Sequence, residues 1–68
     1  MDIREVKVNA AGEVTDVMIN GNTYSMEKAV EFAKSGKIKG AKIEARHNGE
    51  HYISHLGDME LTQLPRFV

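Results

Sequence analysis

The chain has 68 residues, a formal net charge of −1 and no cysteine. That length supports one small domain with a thin stability margin, and without cysteine neither disulfides nor thiolate metal sites can add to it, so self-association is the compensation to look for first. A near-neutral charge provides no global attraction to nucleic acid or to a membrane.

The opening Met1-Asp2-Ile3-Arg4 shows no basic leader followed by an apolar run, and no apolar stretch is long enough to cross a bilayer. A cytoplasmic protein with no membrane partner is expected. Residues 3–10 and 13–19 read as a hairpin closed by Ala11-Gly12. A two-residue turn sets Val6 against Val17, Val8 against Thr15 and Arg4 against Ile19, so that Val6, Val8, Val17 and Ile19 share the inward face. On the reverse face Lys7 opposes Asp16, a favourable charge pair. That reverse face also carries Ile3, Val14 and Met18, more apolar groups than a solvated face needs. Asn20-Gly21 is a tight-turn signal, because both residues tolerate positive φ, and it leads into a short third strand over residues 22–24.

Residues 25–36 hold the only helical periodicity: Met26, Ala29, Val30 and Ala33 fall at i, i+3, i+4 and i+7 and make one apolar stripe. Ser25 is placed to cap the first turn, Glu27 complements the dipole, and Lys34 with Gly36 marks the far end. Phe32 lies on the flank of the stripe. After the connector at residues 37–40, anchored by Ile38, residues 41–47 and 50–56 form a second hairpin closed by Asn48-Gly49. Its register pairs His47 with Glu50, Ala45 with Tyr52, Ile43 with Ser54 and Ala41 with Leu56 on the helix side. The other side pairs Arg46 with His51, Glu44 with Ile53 and Lys42 with His55. Gly57-Asp58 breaks the strand. The tail over residues 59–68 carries Leu61, Leu64, Pro65, Phe67 and Val68, and is expected to fold back over an open edge or one end of the core. The expected fold is therefore a single α+β domain spanning residues 1–68, with antiparallel β-hairpins (β-β-β-α-β-β) packed around one helix and an apolar C-terminal tail.

Chemistry finds little support along this chain. His47, His51 and His55 recur every four residues, but on a strand His51 and His55 lie about 13 Å apart and His47 points the other way, so no metal site is expected. Ser54 and His55 are neighbours on a strand and project to opposite faces, which removes a nucleophile–base pair. Asp16, Glu44, Asp58 and Glu60 show no buried pairing. Gly36-Lys37 follows the helix, where the dipole is negative, and so is a cap rather than a phosphate loop. The expectation is a protein that is not an enzyme and uses no cofactor.

Two surfaces remain. Six cations, Lys28, Lys34, Lys37, Lys39, Lys42 and Arg46, lie between residues 28 and 46 against only Glu31 and Glu44. The outer face of the second hairpin gathers Lys42, Arg46, His51 and His55 around Ile53, extended by Lys37 and Lys39, and could hold an anionic ligand such as a nucleic acid or nucleotide. No aromatic residue interleaves with those charges, so base stacking is not foreseen there. The surplus apolar residues Ile3, Val14, Met18, Phe32 and Ile53 suggest a contact in a homo-oligomer.

The spacing Val14-x-x-Val17, Asn20-Gly21, Tyr24-Ser25, Ala29-Val30, Gly36-Lys37-Ile38-x-Gly40, Gly49-x-x-Tyr52-Ile53 and Leu61-x-x-Leu64-Pro65-x-Phe67 resembles a family of short bacterial and phage proteins, domain-of-unknown-function family 3892. The likeness covers residues 14–67. Two positions depart from it: Glu60 stands where members tend to carry Asn, and Ser54 where they tend to carry a basic residue. The resemblance implies a compact bacterial or mobile-element protein without implying a mechanism. It also raises an alternative, a phage inhibitor that contacts a host defence protein or sequesters a nucleotide signal.

Overall fold

A computed structural model describes residues 1–67; Val68, included in the tail expectation, lies outside the described residues. The elements are β1 (Ile3–Val8), β2 (Val14–Ile19), β3 (Asn22–Ser25), α1 (Met26–Lys34), β4 (Ala41–Ala45), β5 (His51–Leu56) and β6 (Met59–Glu60), followed by a 3-10 turn at Leu61–Gln63. They form two three-stranded antiparallel sheets, ordered β1-β2-β3 and β4-β5-β6, with the helix between them in sequence. This is the expected α+β architecture with one addition. Gly57-Asp58 does more than break β5, because the chain reverses there and adds β6.

The helix starts where Ser25 Oγ accepts the Lys28 amide at 3.2 Å, and it ends at Ser35, whose amide and hydroxyl both return to the Glu31 carbonyl. Met26, Ala29 and Val30 are buried, as the stripe requires. Asn20 and Gly21 both have positive φ, which the tight turn into β3 demands.

Three β-bulges correct the expected registers. In the first hairpin Val6 does oppose Val17 and Lys7 does oppose Asp16, but Val8 faces Val14 and Ile3 faces Ile19. Thr15 and Arg4 are the extra residues. The turn is also longer than two residues: Asn9 Oδ1 accepts the amides of Ala11 and Glu13 and closes a five-residue loop. Each bulge inverts the alternation beyond it, so Ile3 and Val14 turn inward. In the second hairpin Ala41–Leu56 and Lys42–His55 pair as expected; beyond the bulge at Ser54, Ile43 pairs with Ile53, Glu44 with Tyr52 and Ala45 with His51.

One core results. Ile3, Val6, Val14, Val17 and Ile19 of the first sheet meet Met26, Ala29 and Val30 of the helix, together with Ile38, Ile53 and Leu61. The Ile53 amide donates to Met26 Sδ at 3.4 Å, tying β5 to the helix start. The tail behaves as its composition suggests. Leu61 is buried, and the chain then runs parallel to β1, with the Val6 amide donating to the Pro65 carbonyl at 2.9 Å and the Phe67 amide to the Val6 carbonyl at 3.1 Å. The free edge of β1 is thereby covered at its middle, around Val6.

Candidate anion-binding surface

The bulge at Ser54 divides the six cationic residues expected to act together. Lys42 and His55 remain opposite one another, sharing a face with Glu44 and Tyr52, while Glu60 of β6 lies across from His55. That face is mixed in charge rather than cationic. Ile53, expected at its centre, is 1% exposed and belongs to the core. His51 moves to the helix side, on the rim of an open groove of about 760 Å³ whose other polar lining includes Glu27, Glu31 and Glu50. Arg46 is already partnered: its guanidinium lies 2.8 Å from Glu13 Oε2 and 4.2 Å from the centre of the Tyr52 ring. It therefore joins the first hairpin to the second.

The expected interface set changes in the same way. Ile3, Val14 and Ile53 are buried within the chain and offer no outer surface. Met18 is half-buried on β2 opposite Thr23 and Glu5, and Phe32 is half-buried against the core.

A second cationic group is assembled that the strand pattern did not reveal. Tyr24 pairs with Val17 and so faces the helix, where its ring meets Phe32 edge to face, with centroids 5.1 Å apart and planes at 87°. Lys28 precedes Phe32 by one helical turn, and its ammonium lies 5.4 Å from the Phe32 ring centre. Gly36 adopts φ 81° and turns the chain back, so that the Lys37 amide donates to the Phe32 carbonyl at 2.9 Å. Lys37 Nζ then sits 5.7 Å from the same ring centre. Two ammonium groups thus flank one half-exposed aromatic pair, with attraction to the ring face supporting both. Among the described residues Lys34, Lys37 and Lys39 have no carboxylate within ion-pair distance, and Lys28 has only a 4.0 Å approach to Glu31. The available signal was the i, i+4 spacing of Lys28 and Phe32; the contributions of Tyr24 and Lys37 depend on the turns that return them.

Ser54 and His55 also differ from expectation. The bulge brings Ser54 Oγ to 2.8 Å from His55 Nδ1 instead of separating the two side chains. The same hydroxyl lies 3.3 Å from the Lys42 carbonyl, so its one proton serves either that carbonyl or the ring nitrogen, not both. Among the described residues no group of three or more His, Asp or Glu side chains is placed to hold a metal ion.

A family described as protein of unknown function (DUF3892) matches residues 2–65 of the chain. Comparison with curated proteins and with solved structures returns no match.

Proposed function

The chain belongs to the DUF3892 family, and on that footing we propose that it is a small, non-catalytic, self-associating binding module of the bacterial or phage cytoplasm, whose ligand is anionic, a nucleic acid or a nucleotide. The binding surface is the Tyr24–Phe32 pair with Lys28 and Lys37. One observation carries this reading: two ammonium groups converge on a half-exposed aromatic pair, the combination that holds a phosphate beside a base. Among the described residues no helix is long and apolar enough to cross a membrane.

Fluorescence anisotropy with a labelled single-stranded oligonucleotide and a labelled nucleotide tests the proposal. The wild-type chain should bind one of them with an affinity that falls as salt rises. Lys28→Glu with Lys37→Glu should weaken binding by about tenfold or more. Equal affinity for the double variant, or no binding by the wild type, overturns the assignment. Arg46→Glu is not a suitable probe, because it would set a carboxylate beside Glu13.

The alternative, contact with a host defence protein, draws on a different feature. The groove of about 760 Å³ has an apolar floor of Val14, Met26 and Val30, which fits an apolar side chain of a partner better than a phosphate.

A further inference from the structure

Each sheet of this protein has two edges, and the chain closes or shortens three of the four. The tail covers the middle of β1, β3 has four residues, and β6 has two. The remaining edge, β4, is a regular strand of five residues, Ala41-Lys42-Ile43-Glu44-Ala45, with no proline and no extra residue of its own. The carbonyls of Gly40 and Lys42 and the amide of Arg46 point toward β5: the first accepts from the Gly57 amide, the second lies 3.3 Å from the Ser54 hydroxyl, and the Arg46 amide donates to the Glu50 carbonyl. By strand alternation, the backbone groups of Ala41, Ile43 and Ala45 point the other way, to the open edge. Among the described residues, no backbone hydrogen bond outside the sheet ladders involves them.

We propose that β4 pairs antiparallel with β4 of a second copy about Ile43, giving a symmetric dimer with one six-stranded sheet. The proposal deepens the self-association in the reading above by naming its surface, and it is independent of the anion site. The charge pattern selects the register. Centring on Ile43 sets Lys42 of each copy against Glu44 of the other, on the same face of the sheet. Centring on Lys42 or on Glu44 opposes like charges, which is unfavourable across a strand pair. In the Ile43 register two-fold symmetry pairs Ile43 with Ile43, and Ala41 with Ala45, through groups that point outward. On the helix side the half-buried Ile43 of one copy meets that of the other. A lone lysine on an edge ordinarily discourages pairing. Here the glutamate two residues away turns that guard into half of a complementary pair.

Sedimentation velocity across micromolar to millimolar concentrations tests it. The wild type should dimerise with a dissociation constant on the order of 10–100 μM, as expected for a small interface. Lys42→Glu and Glu44→Lys should each weaken the dimer by about tenfold or more, because each places like charges in both cross-strand positions. Mixing the two variants should restore association, since every pair is then complementary. In the wild type, amide exchange at Ala41, Ile43 and Ala45 should slow as concentration rises, while Lys42 and Glu44 should not respond. This readout needs no variant and holds even if one of them fails to fold. A dimer insensitive to both substitutions, or failure of the mixture to recover, overturns the β4 interface while leaving self-association standing. A wild-type monomer at millimolar concentration overturns both.

Discussion

Ser25 shows how much one side chain settles in a helix of nine residues. Its hydroxyl holds the Lys28 amide, one of the first-turn donors with no partner inside the helix. Ser25→Ala should cost about 1 kcal/mol, read as a lower urea midpoint at unchanged slope. An unchanged midpoint would mean that the tertiary contacts of Met26 alone set the helix start. Gly40 acts differently: it has φ 75°, and a Cβ there would lie 3.2 Å from the Gly57 amide nitrogen, so the glycine permits the entry into β4. Such roles are legible from residue type and local spacing. The role of Arg46 is not. Its sequence neighbours are Ala45 and His47, yet its partner is Glu13, thirty-three residues away.

At the level of elements, the departures from expectation come from bulges. Strict alternation from Val6 leaves Ile3 and Val14 on the solvent side, and strict alternation from Ala41 leaves Ile53 there. One extra residue near each of them, Arg4, Thr15 and Ser54, returns all three to the core. The surplus of apolar residues on the reverse faces was itself the trace of those bulges. Periodicity does not say where the extra residue falls, because that depends on the facing strand and on what must be buried. The tail was more readable, since its leucines and phenylalanine need cover. Leu61 anchors it beneath β5 and β1, so Leu61→Ala should cost about 2–4 kcal/mol. Amide exchange at Val6, whose donor is held by Pro65, should accelerate with it. If Val6 protection survives that substitution, the tail is held by its backbone bonds rather than by Leu61.

For the whole molecule, 68 residues imply a total stability of roughly 3–10 kcal/mol. One core side chain is then a large share. Ile53→Ala should cost about 2–5 kcal/mol and leave a measurable unfolded population at 37 °C, whereas Ile53→Val should cost only about 1 kcal/mol. Thermal unfolding followed by circular dichroism separates the two, and equal losses would indicate that the site collapses around the deletion. The order of the first five strands and the helix, the helix cap, the existence of both hairpins and the folded-back tail were determined by the sequence alone, because propensity, periodicity and turn chemistry act between residues a few positions apart; β6 and the hairpin registers were not. Which cations stand together was decided only by the tertiary structure. A bulge sends His51 to the helix side and Ile53 into the core, a salt bridge occupies Arg46, and a glycine turn carries Lys37 back to Phe32. Each of those outcomes depends on burial or charge pairing between segments distant in the chain, and no local pattern encodes that distance.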